Sequence, residues 1–195
     1  VPGNHDRRTN GMLSPQSDRL FAALKVALRG RPVWVGGCAQ PLLAEVLSTI
    51  DLEVNVEIKA SRPGRMGALV AATAQVIRGS GRADQVLVSS FDPFALLQFH
   101  HQLPDVALAY LFHDEQPLPL RRGWVGRWIG ASVVHPQASL CTPARVRAWH
   151  AAGLPVNVWT VDDRDELRRL AALGVDGVFS NDPAHARAIL DDAAR

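Results

Sequence analysis

Val156-Asn157-Val158-Trp159-Thr160-Val161, then Asp163-Arg164-Asp165-Glu166, then Gly174 and Val175-Asp176-Gly177-Val178-Phe179-Ser180 make up the stretch that decides the fold. The first run is apolar and β-branched, which suits a strand. Asp163 and Glu166 stand three apart ahead of Leu167, Leu170 and Leu173, the signature of a helix opened by a capping box, and Gly174 is placed to close it. The second apolar run is another strand, and Asp182-Pro183 opens the next helix. Strand, helix, strand is the repeating unit of a parallel sheet.

The same unit recurs upstream. Asp92-Pro93, Thr142-Pro143 and Asp182-Pro183 each put a capping side chain immediately before a proline suited to the first helical position. Strands are predicted at 54–59, 86–91, 106–112, 131–135, 156–161 and 175–180. Helices are predicted at 40–50, 66–77, from Pro93 through His101, at 142–152, and between the last strands. Residues 113–129 read as a loop with one short helix from Trp124 to Ile129. Nearer the start, Leu20, Leu24, Ala27 and Leu28 predict a helix over 14–29, ended by Gly30, with a short apolar segment at 32–37. Six strands alternating with helices imply either a (β/α) barrel or an open doubly wound sheet. Neither a G-x-G-x-x-G nor a G-x-x-x-x-G-K-[ST] pattern occurs, which weakens a nucleotide-binding reading.

Composition sets further bounds. A single domain over 1–195 suits 195 residues with 47% hydrophobic and 21% charged content. A formal charge of +2 points to neither nucleic acid nor a membrane surface, and Arg121-Arg122 and Arg168-Arg169 read as solvated faces. Cys38 and Cys141 form no disulfide framework or metal-ligand spacing and read as packing residues. No uncharged apolar run reaches about 18 residues, so stable membrane insertion is not expected. The chain opens at Val1 without an initiator Met or a leader, which reads as a fragment or a trimmed chain; a cytoplasmic location is expected, with secretion left open.

Chemistry concentrates in Asn55-Val56-Glu57-Ile58-Lys59. A period of two turns Val54, Val56 and Ile58 one way and Asn55, Glu57 and Lys59 the other. Glu57 and Lys59 fall about 7 Å apart along one face, close enough to address one bound group. In a barrel the C-terminal strand ends share one mouth, and here they carry Glu57, Lys59, Ser90, Phe91, His135, Trp159, Thr160, Ser180 and Asn181. Asp176 and Asp182 suit a turn and an N-cap.

His5-Asp6 with Arg8-Thr9-Asn10-Gly11, Asn55-Val56-Glu57-Ile58-Lys59, Ser90-Phe91-Asp92-Pro93, Val158-Trp159-Thr160-Val161 and Gly174-Val175-Asp176-Gly177-Val178 together resemble the glycerophosphodiester phosphodiesterase family. The resemblance implies a TIM (β/α)8 barrel, incomplete, with about six of eight strands present and the first two missing. It implies metal-dependent hydrolysis of glycerophosphodiesters to glycerol 3-phosphate and an alcohol, with Ca²⁺ or Mg²⁺ as cofactor. By the same resemblance His5 is catalytic, Glu57 binds the metal, Lys59 binds phosphate, and Phe91 and Trp159 contact the substrate. The family's opening His-Arg-Gly strand and its Glu-x-Asp strand have no counterpart here, and the loop after His5-Asp6 is short. The chain on its own is therefore expected to be inactive or nearly so. The rival expectation is a barrel remnant that binds phosphate or self-associates through open sheet edges.

Overall fold

The computed structural model describes residues 11–13, 20–21, 40–59 and 64–193. The architecture is α/β. Strands β3 (Val54–Glu57), β4 (Val86–Ser90), β5 (Ala107–Phe112) and β6 (Val133–Pro136) pair in parallel in that order. β7 (Asn157–Val158) and β8 (Gly177–Ser180) are also parallel. Single parallel bridges, Val134 to Val156 and Gln137 to Trp159, join β6 to β7 and link all six strands into one array.

Helices α1 (Gln40–Thr49), α2 (Met66–Ser80), α3 (Pro93–Gln102), α4 (Trp124–Trp128), α5 (Pro143–Ala151), α6 (Arg164–Ala172) and α7 (Pro183–Ala193) alternate with the strands. Sequence and structure agree on which segments are strands and which are helices from residue 40 onward, and each Asp/Thr-Pro pair does the expected work. Asp92 Oδ1 accepts from the backbone N–H of Phe94 and Ala95, Thr142 Oγ1 from Arg145, and Asp182 Oδ1 from His185. Gly81, at φ +68, ends α2 in a left-handed turn that a β-carbon would strain.

One segment differs. Leu20–Phe21, inside the predicted 14–29 helix, is strand β2, paired antiparallel with β1 (Gly11–Leu13), which in turn runs antiparallel to β8. A short apolar run fits either period, and here a neighbouring strand satisfies the backbone. The remaining residues of that helix, the 32–37 segment and His5-Asp6 lie outside the described residues.

The core forms between the sheet and its helices. Val54, Val56, Ile58, Val86, Val88, Leu108, Tyr110, Phe112, Val134, Val156, Val158 and Val178 pack against Leu47, Val70, Ala74, Ile77, Leu96, Phe99, Val146, Leu167 and Leu170. Each fully buried aliphatic side chain contributes on the order of 1.5–3 kcal/mol. Leu87, Ala109, Leu111 and Phe179 are buried as well but lie outside this core. They belong to the opposite, inner row of the strands.

Candidate active site

That inner row can be read from the register, because lateral neighbours in a sheet share a face. Glu57 pairs with Ser89 and Ser89 with Ala109; Leu111 pairs with His135, and Asn157 with Gly177. Continuing the alternation past each strand end brings Lys59, Phe91, His113, Gln137, Trp159 and Asn181 to the same side. Ring contacts bear this out: Phe91 meets Trp159 edge-on at 5.3 Å and His113 at 5.6 Å, while His135 meets Phe179 at 4.9 Å. Glu57, Lys59, Phe91 and Trp159 therefore gather on the face opposite the helices, at the C-terminal strand ends.

Lys59 Nζ donates to both carboxylate oxygens of Glu57 at 3.1 Å. The straight-strand separation of about 7 Å gave no hint of a direct bond. Lys59 keeps 45% of its side chain exposed and Glu57 30%, so the pair is wet and holds together by no more than about 1 kcal/mol. An anion could draw the ammonium away at little cost. Trp159 Nε1 donates to the carbonyl of His135 at 2.7 Å, which fixes the indole beside Phe91.

The same inner row also carries buried polar groups. Asn157 Nδ2 lies 3.3 Å from His135 Nε2; an amide N–H donating there leaves the ring proton on Nδ1. That Nδ1, with Asn55 Oδ1 and Ser89 Oγ, is buried and has no hydrogen-bond partner among the described residues. Burial pushes the His135 imidazole down to about 3, so it is neutral at pH 7. Buried polar atoms usually find a partner, and an ordered water is the ordinary one in a polar pocket.

Other strand-end groups are structural. Ser90 Oγ donates to Ile58 O at 2.6 Å and accepts from Asp92 N–H. Ser180 Oγ donates to Asp162 Oδ1, which also accepts the Asn181 N–H, and Asp162 Oδ2 accepts from Asn181 Nδ2. Asp176 Oδ2 accepts from Val156 N–H and lies 2.8 Å from His150 Nε2. Half-buried Asn55 and buried Ser89 and Asn157 were not singled out from sequence as site residues, because only the pairing of separate strands shows which of their residues share the inner face.

A divalent cation draws on several oxygen donors. Among the described residues no three His, Cys, Asp or Glu side chains gather, and Glu57 brings one carboxylate. By themselves these residues do not make a Ca²⁺ or Mg²⁺ site.

The model of the glycerophosphoryl diester phosphodiesterase family matches residues 16–185. The chain belongs to this family. Phosphodiesterase-family relatives agree: a glycerophosphodiester phosphodiesterase of Bacillus altitudinis is 30% identical over 95% of this chain and 77% of its own length. The structure of an Oleispira antarctica phosphodiesterase, solved with the product sn-glycerol 3-phosphate, is similar at TM-score 0.67 and 26% identity, covering 77% of this chain and 60% of that one. A glycerophosphodiester phosphodiesterase of Parabacteroides distasonis shares the fold at TM-score 0.68 and 21% identity, with 80% of this chain and 64% of that one covered. The family fold is the TIM barrel, and the six parallel strands with their helices are its counterpart here. Its members are phosphoric diester hydrolases.

Proposed function

We propose that this protein hydrolyses glycerophosphodiesters to glycerol 3-phosphate and an alcohol, at the level of the barrel mouth occupied by Glu57 and Lys59. The observation that carries the reading is the loosely held Glu57–Lys59 pair beside the Phe91–Trp159 wall, in a chain of this family. Lys59 would leave Glu57 for the phosphoryl oxygens and offset the charge that grows on them as the ester bond breaks. Phe91 and Trp159 would flank the glycerol or alcohol carbons and keep water away from that side. His5 would move the proton, as base or as acid to the leaving alkoxide.

A divalent cation, Ca²⁺ or Mg²⁺, would supply further charge neutralisation, with Glu57 as one donor and groups outside the described residues completing the shell. With a single described carboxylate, turnover by the 195-residue chain is expected to be slow. Release of glycerol 3-phosphate from glycerophosphocholine, with and without added cation, tests the reading. Lys59→Met should lower kcat/KM by on the order of 10² or more, and Glu57→Gln should abolish cation binding seen by calorimetry. Hydrolysis indifferent to both substitutions would contradict it.

The lone carboxylate favours a second reading, a phosphate-binding or oligomerising module without turnover. It predicts glycerol 3-phosphate binding by a chain that releases none from the diester under any cation.

A further inference from the structure

The overall charge of +2 conceals a segregation. Residues 116–161 contain no Asp or Glu, yet they carry Arg121, Arg122, Arg127, Arg145 and Arg147. Within that stretch Trp124 and Trp128 stand one turn apart on α4, 47% and 80% exposed, their rings in edge contact at 6.1 Å, and Leu118 just before them is 56% exposed. Arg127, beside Trp128, is exposed too.

Leu118, Trp124, Arg127 and Trp128 are exposed, whereas Arg121 Nη1 donates to the Asp114 carbonyl and Arg145 Nη1 to that of Leu140. α4 buries Gly126, which lies against Tyr110 and Ala131, and turns its indoles outward. Gly123 starts the helix at φ +76, where an added β-carbon would meet Trp149 Nε1 at 2.6 Å, so the helix has one way to leave the barrel. α4 follows β5, in the middle of the six-strand array. The connection leading to it begins at the strand-end face, where His113 touches Phe91.

We propose that the rim formed by residues 118–128 docks this protein on an anionic lipid surface. Indoles combine an apolar body with one N–H donor and settle at the headgroup level, and arginines beside them meet lipid phosphates. Residues 118–128 themselves hold no acidic side chain, with Asp114 and Glu115 just before them, and this bias matches a negative surface. Two indoles and a leucine are few for a stable protein interface, which needs about 800 Å² per partner, but they suffice for reversible peripheral binding. The inference stands independently of the hydrolysis proposed above.

Co-sedimentation of the 195-residue chain with phosphatidylcholine vesicles, with and without phosphatidylglycerol, tests it. The expected result is binding to the anionic vesicles only, weakening as salt is raised. Arg127→Gln should weaken it on the order of fivefold, and Trp124→Ala/Trp128→Ala should remove most of it while the circular dichroism stays unchanged. A wild-type chain that stays in solution with anionic vesicles would overturn the proposal. So would a double tryptophan variant that binds as well as wild type, or one that merely converts an oligomer to a monomer. The readout is binding, so its failure leaves diester hydrolysis untouched.

Discussion

His135 is fully buried with one ring nitrogen held by Asn157 and the other without a partner among the described residues, and its depressed pKa has a consequence for stability. In the unfolded chain the imidazole takes a proton below about 6.5, whereas in the fold it resists until about 3. Between those values the unfolded state binds more protons, so stability falls as pH drops through that window and is unaffected above it. The loss reaches on the order of 5 kcal/mol at its limit. Urea midpoints measured at pH 7.5 and pH 5 should differ more for the wild type than for His135→Gln; equal differences would show that His135 does not titrate this way. At the residue scale the sequence was informative about direction and silent about contact. Period two put Glu57 and Lys59 on one side, but the reach of a lysine stem is not encoded in spacing. His135 could be placed at a strand end and not assigned a partner, since Asn157 sits on another strand.

At the scale of elements, Arg82 joins what the chain separates. Its guanidinium donates to the carbonyls of Leu47 and Leu52 at 2.7 and 2.9 Å and to that of Ile50, and it also grips Gln85 Oε1. It thus ties the end of α1 and the turn before β3 to the entry of β4. Arg82→Lys can keep one of these bonds at a time and should cost roughly 2–3 kcal/mol in chemical denaturation; a change within the error of the method would refute the clamp. Strand and helix order was legible because capping residues and prolines repeat at each junction. The length of β7 was not. Residues 156–161 read as a full strand, yet only Asn157–Val158 ladder. Val134 N–H donates to Pro155 O, so the next donor of β6 pointing the same way would be residue 136, a proline with none. The ladder breaks there into isolated bridges. The β2 pairing of Leu20–Phe21 was hidden for a related reason: a partner strand, not the local pattern, decided between two periods.

For the molecule as a whole, a summed charge was the wrong quantity to read. It averaged an acid-free stretch with an acidic remainder and hid the rim carrying Trp124, Trp128 and Arg127. Among the described residues, β3 has β4 on one side and no strand on the other. An edge that stays unpaired in solution invites association; size-exclusion elution that shifts with concentration would show such an edge, and a sharp, concentration-independent monomer would contradict it. No helix among the described residues is long and apolar enough to cross a membrane. The family and its fold were legible because their motifs lie at strand ends in a fixed order, while the buried polar groups of the inner row needed the register of separate strands. Titration of sn-glycerol 3-phosphate into the wild-type chain and into Lys59→Met tests the central claim most directly, since it asks for the phosphate site without requiring turnover. The account predicts saturable binding that is at least about tenfold weaker in the variant. No binding by the wild type, or equal binding by both, would mean that Lys59 and the strand-end face around it are not the phosphate site.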